Sequence, residues 1–104
     1  HVMIRIIDDN REALEALCRK YRVATLEIFG SAAAGSFRPD ASDLDFLVTY
    51  HRASDMDAAD QYFGLLQELT ELFDRHVDLV MPRAMKNPYF IRSVNANRKV
   101  LYAA

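Results

Sequence analysis

The chain is predicted to fold as α/β (α+β), a small mixed sheet packed with helices. Three observations carry that prediction. Stretches with apolar residues at helical spacing alternate with short runs rich in β-branched and aromatic residues. Glycine, proline, aspartate and asparagine punctuate the joins between them. The length of 104 residues, 51% of them hydrophobic, suits a single packed core. Residues 1–104 are therefore expected to form one domain, with His1-Val2 a cloning remnant ahead of a native Met3.

A first helix is expected from about Asn10 to Tyr21, capped by Asp9 with Glu12 completing a capping-box spacing. Its buried stripe would be Leu14, Leu17, Cys18 and Tyr21. Val23 to Phe29 reads as a strand that Gly30 ends. Ser31 can cap a short helical turn through Ala32-Ala33-Ala34, stopped by Gly35. A loop punctuated by Pro39 and Asp40 runs from Phe37 to Ser42.

Asp43 to Tyr50 is the clearest strand. A long helix from about Asp55 to Arg75 is expected next, with Ser54 as its cap and Asp57 at the capping-box position. Its main stripe would be Ala59, Tyr62, Phe63, Leu66, Leu69 and Phe73, with Leu65 and Leu72 beside it. His76 to Met81 reads as a third strand stopped by Pro82. Asn87-Pro88 has the form of a cap and a first-turn proline for a helix through Phe90, Ile91 and Val94. Lys99 to Tyr102 would add an edge strand.

Several function classes are disfavoured. The net charge is −2 and no basic tail or stripe exists, so direct nucleic-acid binding is not expected. Cys18 is the only cysteine, which leaves no internal disulfide and fits a reducing cytoplasm. No segment has the length and apolar character of a membrane span or a signal core.

The chemistry-bearing residues lie in the middle of the chain. In a strand, Asp43 and Asp45 share one face, while Leu44, Phe46, Val48 and Tyr50 face a core. Asp78 repeats the theme between Val77 and Leu79. If the two strands are neighbours, Asp78 stands within about 5 Å of the Asp43/Asp45 pair. At an effective dielectric near 20, like charges that close repel by roughly 4 kcal/mol per pair. A small domain tolerates this only if the acids take up protons, find cationic partners or share divalent ions. No Lys or Arg lies in either strand motif. Oxygen ligands of this kind suit Mg²⁺ or Mn²⁺. Upstream, Gly30 lets a ligand approach the backbone, and the next amides with the Ser31 hydroxyl could receive a phosphate.

The bland readings differ from residue to residue. Cys18 reads as packing, His51 and His76 as surface or strand-end residues, and Arg83, Lys86, Arg92, Arg98 and Lys99 as a solvated face. Any single acid of the three reads as a solvated strand-end group.

Taken together, Gly30-Ser31, Ser42-Asp43-Leu44-Asp45 and Asp78 between apolar neighbours resemble the minimal nucleotidyltransferases of the DNA polymerase β-like superfamily. The resemblance covers nearly the whole chain and implies a nucleotidyltransferase-like fold. It implies that Gly30 and Ser31 hold the triphosphate of ATP and that Asp43 and Asp45 bind two divalent ions, Mg²⁺ or Mn²⁺. It implies that Asp78 completes the metal site and helps deprotonate the attacking hydroxyl. Many such proteins are antitoxins paired with a helical HEPN-type toxin, on which AMP from ATP is placed on a tyrosine. A hetero-oligomer with such a toxin is therefore expected. Ala32 and Ala34 stand where family members often carry arginines, and the loop to Asp43 is one residue longer than the commonest spacing. Arg38 is a candidate substitute for those cations. Those departures favour one rival, an antitoxin of the same fold that neutralises its toxin by occlusion alone. A further rival, transfer to a small molecule such as an antibiotic, would need an acceptor domain.

Overall fold

The computed structural model describes residues 2–34, 43–52 and 55–104, with side chains from Arg5 onward. Gly35, the loop from Phe37 through Arg38, Pro39 and Asp40 to Ser42, and the expected Ser54 cap lie outside the described residues. In chain order the elements are α1 (Val2–Asp9), α2 (Arg11–Lys20), β1 (Val23–Phe29), α3 (Gly30–Ala34), β2 (Leu44–Tyr50), α4 (Ala58–Phe73) and β3 (Val77–Val80). A 3₁₀ turn (Pro82–Ala84), α5 (Pro88–Asn97) and β4 (Lys99–Ala103) follow.

The four strands form one sheet in the order β3-β2-β1-β4. β1 runs antiparallel to β2 and to β4, whereas β2 and β3 are parallel. Parallel neighbours need a crossover, and α4 supplies it. The mixed sheet packed with helices is thus the architecture that the sequence pattern predicts.

Strand alternation sorts the side chains onto two faces. Leu26, Ile28, Phe46, Val48, Val77 and Leu79 pack with Leu14, Cys18, Leu65 and Leu69 in the main core. The opposite face carries a smaller cluster of Phe29, Leu47 and Val94, covered by α5. Burial drives the Cys18 thiol up to about 12, so it remains a protonated packing group.

The N-terminal region departs from expectation. An additional helix, α1, precedes α2, and its Ile7 is fully buried in the core. The cap of α2 is Asn10, not Asp9, and Asn10 makes no side-chain capping bond. Its amide instead donates to the Ile6 carbonyl at 2.9 Å. A short polar side chain that bonds local backbone turns the chain between two helices in this way.

The long helix is shorter than expected, and rotated. Asp57, not a residue three positions earlier, is its cap and accepts from the Ala59 and Asp60 amides. It ends at Phe73 because Asp74 adopts a left-handed conformation (φ 49°). The buried stripe is Gln61, Leu65, Leu69 and Phe73, while Phe63 is 64% exposed and Ala59 faces solvent. A buried polar contact accompanies this rotation: the Gln61 amide donates to the Tyr21 carbonyl at 3.0 Å, satisfying both groups. Gly64 completes the fit, since a Cβ there would lie 2.5 Å from the Tyr21 ring.

α5 begins as predicted, with Asn87 accepting from the Tyr89 and Phe90 amides. Its C-terminal end is tied to the sheet by Arg98, whose guanidinium grips the buried Glu27 carboxylate with two bonds of 3.0 and 2.8 Å. Removing one member of such a pair strands the other charge. Arg98→Ala is expected to lower stability by about 2 kcal/mol. Glu27→Gln/Arg98→Ala should recover part of that loss, as read by urea denaturation.

Candidate active site

Three strand ends converge on the face that carries the smaller cluster. β1 closes at Phe29, opposite Asp45 of β2, and Asp45 in turn stands beside Asp78 of β3 in the parallel register. Asp43 precedes β2 and is exposed, Asp45 is half-buried and Asp78 is exposed. Val77 and Leu79 point into the main core, so Asp78 emerges on the same face as the other two acids. The sheet pairing therefore brings together all three carboxylates singled out from the sequence.

Gly30 is fitted to that site in two ways. It takes φ +74°, a conformation that L side chains rarely adopt. A Cβ at this position would lie 2.2 Å from Oδ2 of Asp45. The bend after β1 therefore sits directly on the acid. Ser31 follows within α3, and Ala32 and Ala33 are buried beneath it.

The electrostatics show charge crowding. Asp45 is pushed up to about 6, first by burial, then by its hydrogen bond to Asp78 and the charges of Asp78 and Asp43. His76, which reads from the sequence as a strand-end residue, is part of the site: its Nε2 lies 3.0 Å from Oδ1 of Asp78. That contact, with the charges of Asp78 and Asp43, raises the imidazole above its ordinary value. The signal for His76 was its spacing, two residues before Asp78 and so on the same strand face.

Asp43, His76 and Asp78 each offer one ligand atom, and these atoms all lie within 4.8 Å of one another. Oxygen and imidazole donors so close fit a divalent ion. Beside them opens a cleft of about 330 Å³ with Phe29, Leu66 and Phe90 on its apolar walls and Asp45, His76 and Asp78 on its polar side. Phe90 meets Phe29 edge to face at 5.9 Å. A larger groove near Tyr21, Asp57 and Phe63 contains none of the three acids and lies apart from this chemistry.

A pH dependence follows for the metal-free protein. Between the ordinary carboxyl value of 3.8 and about 6, the folded chain holds a proton on Asp45 that the unfolded chain releases. Stability therefore falls as pH rises through that window. The His76 proton acts in the same sense: it stabilises below 6.5 and is lost as pH rises through the raised folded value. The melting temperature is expected to drop between pH 4 and pH 7.5, and Asp45→Asn should flatten the acidic part of that curve. Mg²⁺ added at pH 7.5 should raise it again by binding the folded state.

Comparison with known proteins places this geometry in a group. A profile described as the nucleotidyltransferase domain matches residues 10–101. A protein of Methanocaldococcus jannaschii named "Putative protein adenylyltransferase" is 36% identical over 89 residues, covering 86% of this chain and 87% of the relative. A second protein with that name, from the same organism, is 29% identical over 84 residues, covering 81% of this chain and 82% of the relative. Among solved structures, a minimal nucleotidyltransferase, so described with the qualifier "putative", superposes with a TM-score of 0.71 at 28% identity, covering 92% of this chain and 93% of that one. A toxin–antitoxin complex with AMP-PNP gives 0.66 at 26% identity, covering 91% and 74%. An MNT antitoxin in complex with a tri-AMPylated HEPN toxin, from Shewanella oneidensis, shares the fold with a TM-score of 0.62 at 22% identity, covering 93% of this chain and 72% of that one. Among the described residues, no helix is long and apolar enough to cross a membrane.

Proposed function

The chain belongs to the nucleotidyltransferase-domain family, and from that premise we propose that it transfers AMP from ATP to a hydroxyl of a partner protein. The partner in this reading is a HEPN-type toxin, the acceptor a tyrosine, and the role that of antitoxin in a cytoplasmic hetero-complex. The observation that carries the proposal is the convergence of Asp43, Asp45 and Asp78 beside the Gly30 bend. The names of the relatives support adenylyl transfer as the reaction. The crystallised toxin–antitoxin complex with AMP-PNP supports the class of donor and partner.

In this reading each residue has a role. The Gly30 backbone approaches the triphosphate without side-chain obstruction, and the Ser31 hydroxyl donates to a phosphate oxygen. Asp43, Asp45 and Asp78 hold the divalent ions. Those ions, when bound, neutralise charge on the phosphates and acidify the attacking hydroxyl. Asp78 is placed to accept the hydroxyl proton. Asp45, half-buried, stands beside Asp78 on the neighbouring strand and keeps that second carboxyl oriented. The apolar wall of Phe29 and Phe90 shields the reacting centre from water on one side.

Incubation with α-labelled ATP, Mg²⁺ and the product of the adjacent gene tests the proposal. Label on the partner, lost in its tyrosine variants, is the expected outcome. Absence of label with every nucleotide would sink it. Occlusion without chemistry has one observation in its favour, the small Ala32 and Ala34 where arginines are frequent in the family. Full protection of cells by an Asp43→Asn/Asp45→Asn variant would decide for occlusion.

A further inference from the structure

We propose that His76 is a nitrogen ligand to a divalent ion held with Asp43 and Asp78, and that it tilts this site from Mg²⁺ towards Mn²⁺. The inference rests on the nucleotidyltransferase reading above and adds to it the identity of the metal.

The geometry is that of a ligand set. The donor atoms of Asp43, His76 and Asp78 lie within 4.8 Å of one another. Opposite ligands of an ion with bonds near 2.1–2.2 Å stand about 4.3 Å apart, and adjacent octahedral ligands about 3 Å apart. The His76 Nε2 to Asp78 Oδ1 distance of 3.0 Å already has the adjacent spacing. Closing the remaining gap takes only small rotations of exposed side chains. His76 and Asp78 are 64% and 52% exposed at the side chain, so both have that freedom.

His76 joins, and does not replace, the carboxylate of Asp45, which stands beside Asp78 on the neighbouring strand. The Asp45 carboxylate lies against the Gly30 bend, where an added Cβ would stand 2.2 Å from Oδ2. The exposed rim of the site therefore presents two carboxylates and one imidazole. Neutral imidazole binds through Nε2 with its proton on Nδ1. Mg²⁺ prefers oxygen donors and gives up its waters reluctantly, whereas imidazole suits the transition metals. A nitrogen in the set thus favours Mn²⁺.

The test uses the whole chain and Mn²⁺ alone, followed by paramagnetic resonance, with Mg²⁺ as competitor. Bound Mn²⁺ should show nitrogen coupling in pulsed spectra, and that coupling should vanish in His76→Gln. The same variant should weaken Mn²⁺ binding by at least about tenfold while changing the Mg²⁺ competition by less than about twofold. Circular dichroism of this exposed-site variant checks that the fold is kept. Bound Mn²⁺ without nitrogen coupling, or equal losses for both ions, overturns the His76 assignment and leaves the transferase reading standing. Failure of Mn²⁺ to bind even with AMP-PNP present overturns both.

Discussion

Asp43→Asn and Asp45→Asn should each reduce AMP transfer by at least about 10³-fold, equivalent to ~4 kcal/mol of lost transition-state stabilisation. The fold should survive both changes. Asp43 is exposed and precedes β2, so an amide there disturbs no packing. Asp45 is half-buried among like charges, and burial with those charges pushes its carboxyl up to about 6. An amide retains its shape without the repulsion, and the Asp45→Asn protein without metal should melt at a higher temperature than the parent at pH 7.5. Loss of activity together with raised stability is the signature of a strained functional site. A matched pair of measurements, label transfer and thermal melting on the same preparation, would reveal it. Retained transfer in both variants would remove these acids from the chemistry.

Gly30→Ala should damage the protein at the same point from the other side. Left-handed backbone costs an L-residue about 1–2 kcal/mol. The new methyl would also meet Oδ2 of Asp45 at 2.2 Å, which cannot be accommodated without displacing the carboxylate or the bend. Overpacking of this kind adds about 1–3 kcal/mol. A total loss near 3 kcal/mol is expected, with transfer abolished because Asp45 is pushed out of line. Gly30→Ala/Asp45→Ala distinguishes the two causes. Removal of the carboxylate relieves the clash but not the backbone strain, so the double variant should regain roughly half the stability and none of the activity. Strict additivity of the two single changes would show that the methyl and the carboxylate do not meet.

Much of the architecture could be read without coordinates because local signals and burial agreed. The strand at Asp43 to Tyr50 alternates acids and apolar groups at its start, then runs buried through its middle. The Asn87-Pro88 start of α5 uses an asparagine cap and a proline that needs no amide partner. The errors arose where two local signals competed. Asp9 and Glu12 have capping-box spacing, yet Asn10 breaks the helix one residue later through its own bond to Ile6. Along α4 the apolar residues cover more than half the circumference, so periodicity did not choose a face. The buried bond from Gln61 to Tyr21 and the contact of Gly64 with the Tyr21 ring are the contacts that go with the observed rotation. Those contacts join residues some forty positions apart, beyond the reach of any helical window.

The candidate site divides along the same line. Which residues carry charge, and that Asp43 and Asp45 leave their strand on one face, belong to the sequence, since the two-residue period of a strand is a local property. That Asp78 joins them depends on β2 and β3 being parallel neighbours in a register that sets Asp45 beside Asp78. The crossover through α4 and the packing of Phe46 and Leu79 in one core hold that register, and no local pattern encodes it. The same holds for His76 and for Gly30. Gly30 is visible as a break after a strand, but its close fit to Asp45 appears only once β1 and β2 pair, and His76 gains its role only because Asp78, two residues on, meets the acids of β2. Charge and periodicity are written residue by residue, whereas proximity across a sheet is an outcome of the whole core.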